Sequence, residues 1–346
     1  MTSSILREEI YSQPVILSAL FEEERQPVTQ LAHELEGSFE YVLIAARGSS
    51  DNAARYAQYL LGAENRIQVA LATPSLFTIY QEPPRLEGAL IIGISQSGQS
   101  PDIVEVIAEG RRQGRPTLAI TNDTGSPMAE TAKFCIPLHA GPELAIAASK
   151  TYTASLGALA LLSCALSGNE AHLEQLLGLP AVLESSLAQS EQFLSRVERY
   201  RYMQHCAVIG RGYNYATAFE VALKIKELTR IVAEPYSSAD FRHGPIAMAW
   251  DGFPVILVAP QGAVQEDFRS LMEDLHSRKA EILVISDDDF LLERANLPMR
   301  IPSGQPEWLT PMVAVLPGQL FSMALAEVKG LDPDRPEGLR KVTETV

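Results

Sequence analysis

Short unbroken apolar runs recur along the chain, separated by stretches whose apolar residues fall at helical spacing. The runs are Tyr41-Val-Leu-Ile-Ala-Ala46, Ala89-Leu-Ile-Ile-Gly-Ile94, Pro116-Thr-Leu-Ala-Ile-Thr121 and Phe134-Cys-Ile-Pro137. The spacing predicts helices over 7–36, 51–62, 101–113, 126–132 and 143–167. In the first of these, Ile10, Ile16, Leu17, Leu20 and Phe21 stand among Glu and Gln. Apolar strands alternating with helices predict a parallel sheet, because strands covered on both faces need no polar alternation.

The pattern then restarts. Residues 170–200 read as connecting helices, and Cys206–Gly210, Pro254–Ala259 and Glu281–Ser286 as further strands. Arg47-Gly48 recurs 164 positions later as Arg211-Gly212, and Gly88 and Gly98 recur as Gly252 and Gly262. Anchors held at one offset, in the same strand order, predict an internal duplication. The copies differ after one strand: Ser95-Gln-Ser-Gly98 is matched by Ala259-Pro-Gln-Gly262, which carries no hydroxyl. If this turn binds a ligand, the first copy binds it and the second is structural.

Composition narrows the partners. The 346 residues carry a formal charge of −15, which argues against nucleic acid or an anionic membrane. A small phosphorylated ligand stays open, since backbone N–H groups can hold one phosphate. Cys135, Cys164 and Cys206 are far apart and odd in number, so reduced buried thiols in a cytoplasmic protein are expected rather than disulfides or a cysteine zinc site. The first ten residues have no secretory pattern, and the longest apolar stretch, Ala154–Leu166, is too short to span a bilayer and reads as a buried helix.

Ser95-Gln-Ser-Gly-Gln-Ser100 sits between a predicted strand and a predicted helix. Ser100 fits an N-cap, Pro101 the first helical position and Asp102 the first turn. A helix start offers unpaired N–H groups, Ser95, Gln96, Ser97 and Ser100 add neutral donors, and Gly98 permits close backbone approach. Together they suit a phosphate dianion at the carboxyl end of a parallel strand. An ordinary capped turn fits the same residues. No G-x-x-x-x-G-K-[ST] occurs, and the first strand turn lacks G-x-G-x-x-G.

A strand ending in Ser-Gln-Ser-Gly within a duplicated α/β unit resembles the sugar isomerase (SIS) domain, a phosphosugar-binding module. Further segments resemble the isomerase half of the glutamine–fructose-6-phosphate aminotransferase family. They are Arg47-Gly-Ser-Ser50, Glu143-Leu-Ala-Ile-Ala-Ala-Ser-Lys150, Leu223-Lys-Ile-Lys-Glu227, Phe241-Arg-His-Gly-Pro245 and Gly338-Leu-Arg-Lys-Val-Thr343. The resemblance implies two tandem flavodoxin-like, parallel-sheet αβα sandwich domains. Their boundaries are expected at 37–168 and 201–330, with a helical segment 1–36, a connector 169–200 and a tail 331–346 over the active site. It also implies a homodimer, with no cofactor and no metal. The family's Thr at Ser49 and Ser100, Glu at Gln99 and Ser at Ala148 are replaced, and no glutaminase half is expected.

Roles follow from the resemblance, and each has a chemical rationale. Glu227 would move the proton between C1 and C2, as a partly desolvated carboxylate can. Lys224 lies one helical turn before it, on the same face. His243 would open the sugar ring and enter the partner subunit's site. Lys341 would act as a Schiff-base or electrostatic partner under an ordered tail. Ser49, Ser50, Ser95, Gln96, Ser97, Ser100 and Ile146 would bind substrate and its phosphate. His33, His139, His172, His205 and His276 show no metal-ligand spacing and are expected to be ordinary exposed residues. The leading expectation is conversion of glucosamine 6-phosphate to fructose 6-phosphate and ammonia. Synthesis in reverse, with ammonia from solution or a glutaminase partner, stays open, as do deglycation of a fructosamine phosphate and a non-catalytic phosphosugar sensor.

Overall fold

The apolar runs form strands whose side chains are covered from both sides. The computed structural model describes residues 4–341. Two helices come first, α1 (Ile5–Tyr11) and α2 (Gln13–Leu35). The first repeat runs β1 (Tyr41–Ala46), α3 (Ser49–Glu64), β2 (Gln68–Leu71), α4 (Ser75–Thr78), β3 (Ala89–Ile94) and α5 (Pro101–Arg112). It continues through β4 (Thr117–Thr121), α6 (Pro127–Thr131), β5 (Phe134–Pro137) and α7 (Lys150–Ser167). Then come α8 (Glu170–Leu177) and α9 (Leu179–Leu194). The second repeat runs β6 (His205–Gly210), α10 (Tyr215–Thr229), β7 (Val232–Ser237), α11 (Ser238–Arg242), β8 (Pro254–Val258) and α12 (Gln265–Ser277). It closes with β9 (Glu281–Ser286), α13 (Asp289–Glu293), β10 (Leu297–Arg300) and α14 (Thr310–Val328).

Each repeat forms one five-stranded parallel sheet, ordered β2-β1-β3-β4-β5 and β7-β6-β8-β9-β10. The two orders are the same when each repeat is counted from its own first strand. Register repeats too. Tyr41 opposite Gln68 becomes His205 opposite Val232, and Leu43 opposite Ile91 becomes Ala207 opposite Val255, all at a shift of 164. Ile94 opposite Ile120 becomes Val258 opposite Ile285, the last residue shifted by one more. The chain divides into two compact units that cut across the repeats. Among the described residues, one holds 15–143, 150–178 and 340–341; the other holds 4–14, 144–149 and 179–339.

In the first-repeat unit Leu43, Ala45, Ile91 and Ala119 of the sheet pack against Ile103, Val106 and Ile107 of α5. In the second-repeat unit Ala207, Ile209, Val255 and Leu257 pack against Phe268, Leu271 and Met272 of α12. Removing each such large side chain from water contributes about 1.5–3 kcal/mol. The segment Glu307–Val328, containing α14, is long and apolar enough to cross a membrane by length and composition, and its most apolar window is wholly buried. It is a core helix of its unit.

In that same unit the carboxylate of Asp334 accepts the backbone N–H groups of Ile5 and Leu6 at 2.9 and 2.8 Å. Its carbonyl accepts the N–H of Ile146 at 3.3 Å. One residue thus caps α1 and holds the 144–149 segment.

The secondary structure differs from the sequence expectations in three places. The helix expected over 143–167 begins at Lys150, and 143–149 is irregular. The N–H groups of Leu144 and Ala145 go to the Glu9 carboxylate and that of Ile146 to the Asp334 carbonyl, so the donors of this stretch are satisfied without a helix. The strands β2, β7 and β10 were not anticipated, and all three are sheet edges. Finally, α14 is an apolar element longer than Ala154–Leu166, although the latter does lie buried within α7.

Candidate active site

Strands β1 and β3 are neighbours whose last residues, Ala46 and Ile94, are paired. The turns at 47–50 and 95–100 therefore leave from adjacent carboxyl ends, where open α/β sheets bind ligands. In the second turn, the Ser95 hydroxyl accepts the N–H of Gly98 at 3.1 Å and the Ser97 hydroxyl that of Gln99 at 3.3 Å. The following turn pins the loop from behind. Asn122 donates its N–H to the Gln96 carbonyl and Met128 donates to the Gly98 carbonyl, both at 3.1 Å. Ser100 occupies the N-cap position of α5 but its side chain makes no capping bond, contrary to the sequence expectation. Its hydroxyl is not committed to the helix. Buried Asp102 accepts the N–H of Ile103 and the Nε of Arg47, the latter at 2.8 Å, which ties the two turns together. Ser49 and Ser50 are half-buried at the start of α3.

Gly98 holds φ at +63°, and a Cβ there would stand 2.0 Å from Ser126 Oγ. Gly98→Ala is expected to weaken binding of inorganic phosphate at this loop at least about tenfold, because the left-handed conformation costs ~1–2 kcal/mol before the clash is counted. Titration calorimetry checks this; unchanged affinity would contradict a ligand role for the loop.

Beyond the loop, in the same unit, buried Glu143 accepts the N–H of Thr151 at 3.1 Å, its hydroxyl at 2.9 Å and Lys341 Nζ at 2.7 Å. Lys150 Nζ donates to the Pro142 carbonyl at 2.7 Å. The tail is thus anchored as far as Lys341, whose ammonium is held by a carboxylate. That arrangement suits an electrostatic partner rather than a free amine nucleophile. Residues 342–346, the end of the expected tail, lie outside the described residues.

In the other unit, α10 carries Glu220, Lys224 and Glu227 on one face. Lys224 Nζ lies 3.5 Å from Glu220 Oε1 and 2.5 Å from Glu227 Oε2. The Lys224 side chain is 2% exposed and Glu220 fully covered, whereas Glu227 is 25% exposed. A buried ammonium therefore positions the one carboxylate of this group that reaches solvent. Glu220 was missed in the sequence, though its spacing four residues before Lys224 was the available signal. Ile146, also in this unit, is half-buried with its N–H on Asp334. His243 follows α11 and is exposed. Its N–H bonds the Asp240 carbonyl at 3.1 Å, and its imidazole makes no hydrogen bond among the described residues.

Among the described residues no group of three His, Cys, Asp or Glu side chains is arranged to hold a metal ion. Four of the five histidines expected to be plain surface residues have partners: His139 bonds Glu24 at 2.7 Å, His172 lies 3.6 Å from Glu64, His205 stacks on Phe253, and His276 meets the Arg294 carbonyl at 3.1 Å. Burial pushes the Cys164 and Cys206 thiols up to about 12 and Cys135 up to about 11. At pH 8 all three stay protonated, and the thiol is a poor nucleophile. Iodoacetamide at that pH is expected to leave the native chain unmodified while labelling three sites in urea, as intact mass would report.

Residues 40–165 and 201–328 each match the SIS domain. The chain belongs to the SIS domain family. It is 33% identical over 336 residues to the isomerizing glutamine–fructose-6-phosphate aminotransferase of Aquifex aeolicus, covering 96% of this chain and 56% of that protein. The chain spans about half the length of the curated relatives it matches. The C-terminal domain of glucosamine-fructose-6-phosphate aminotransferase from Francisella tularensis superposes with a TM-score of 0.88 at 26% identity, over 96% of this chain and 98% of that one. Glucosamine-6-phosphate deaminase from Thermotoga maritima, at 23% identity and a TM-score of 0.77 over 99% and 100%, shares the SIS fold. The internal duplication is thus a pair of SIS repeats, and the serine loop lies in the first of them.

Proposed function

We propose that the chain converts glucosamine 6-phosphate and water into fructose 6-phosphate and ammonia. Ser50, Ser95, Gln96, Ser97 and Ser100 would hold the phosphate, with Ser49 and Ile146 beside the sugar. His243 would protonate the ring oxygen to open the ring. Glu227 would take the proton from C2 and return it to C1, leaving an imine at C2. Water would add to that imine and release ammonia, which balances the reaction without a cofactor. Lys341 would stabilise the negative charge developing on oxygen. Anchoring a remote phosphate fixes the reacting carbons against the base. His243 would be given across a homodimer interface, and the enzyme would work in the cytoplasm.

The observation that carries this reading is the buried Lys224 ammonium presenting the partly exposed Glu227 carboxylate. Purified protein incubated with glucosamine 6-phosphate is expected to yield ammonia and fructose 6-phosphate in equal amounts. Finding neither product would sink the proposal. The synthetic direction is favoured by one observation, the 33% identity to an aminotransferase. Formation of glucosamine 6-phosphate from fructose 6-phosphate and ammonia would establish it.

A further inference from the structure

In the second repeat, Glu307 lies on a short 3-10 turn (Glu307–Leu309) just before α14. Its Oε2 accepts the N–H of Ala263 at 3.0 Å. A methyl group on Gly262 would stand 2.5 Å from its Cδ, and one on Gly212 3.6 Å from its Oε1. The carboxylate therefore rests between the 211–214 and 259–264 turns. These are the second repeat's counterparts of the 47–50 and 95–100 turns, since they follow β6 and β8, which pair as β1 and β3 do. The brace between the turns is repeated as well: Arg211 pairs with Asp267 at 3.0 Å where Arg47 pairs with Asp102 at 2.8 Å. What differs is the lining, hydroxyls in one repeat and a glutamate in the other.

We propose that Glu307 is a tethered anion filling the second repeat's phosphate seat, so that this seat takes no phosphomonoester while Glu307 is present. A carboxylate offers the same thing a phosphate does there, negative oxygens, one of which accepts the Ala263 N–H just ahead of the thirteen-residue helix α12. Held by its own chain, it competes at an effective concentration that dissolved phosphate does not match. The carboxylate also crowds position 262, where any side chain larger than glycine's would have to push Glu307 aside.

Hydrogen exchange by mass spectrometry, with inorganic phosphate as the probe at constant ionic strength, tests this in the full chain. In the unaltered protein phosphate is expected to leave exchange over 259–264 unchanged, and protection there would overturn the proposal. In Glu307→Ala, with circular dichroism unchanged, phosphate is expected to slow exchange over 259–264 and to raise the bound phosphate by one per chain. A folded variant showing neither gain would equally overturn it. The readout is confined to the second repeat. Loss of phosphate binding at 95–100 would damage the proposed reaction and leave this inference standing.

Discussion

Glu227→Gln is expected to lower kcat for glucosamine 6-phosphate by on the order of 10²–10⁴, the usual contribution of a positioned base. The amide oxygen can still accept from Lys224, so the helix face should hold and the affinity for the phosphosugar should change little. A fall in kcat with constant Kd, measured by steady-state kinetics and calorimetry, fits a proton carrier. Equal turnover in variant and parent would remove Glu227 from the reaction. A variant that binds as the parent does, where neither turns over substrate, would mark a phosphosugar sensor instead.

Lys224→Met is expected to destabilise the chain by about 3–5 kcal/mol, the cost of leaving a buried charge without its counter-charge. Exposure decides the size of this effect. A surface pair is worth about 0–1 kcal/mol, but here the lysine side chain is 2% exposed and Glu220 0%. Methionine keeps most of the volume, so the loss would be electrostatic rather than a cavity. Urea denaturation should show a lower midpoint at unchanged slope. A shift under about 1 kcal/mol would mean that the pair behaves as a solvated one.

The interior strands were legible because Tyr41–Ala46, Ala89–Ile94 and Glu281–Ser286 are apolar on both faces, which leaves a continuous signal. Three of the four edge strands were not. Gln68–Leu71 is four residues long and mixed, while Val232–Ser237 and Leu297–Arg300 contain Pro235 and Pro298. Proline reads as a breaker in a sequence but is tolerated where one side of a strand has no partner. Pro311, Pro317 and Gly318 similarly disguised α14, whose burial from Thr310 to Ala326 outweighs their poor helical propensity. At the site, Lys224 and Glu227 were readable because three residues is one helical turn. The ion pair between Lys341 and Glu143 was not, since 198 positions separate them and nothing local announces it. The same holds for Glu307, whose meaning depends on a turn it meets only after folding.

Asp334 caps α1 across 329 positions of chain. A seven-residue helix has little persistence of its own in water. The acceptor for the N–H groups of Ile5 and Leu6 is synthesised more than three hundred residues after the helix it caps. The helix should therefore stay frayed until Asp334 has been made and has folded onto it, so α1 settles later than its place in the order of synthesis would suggest.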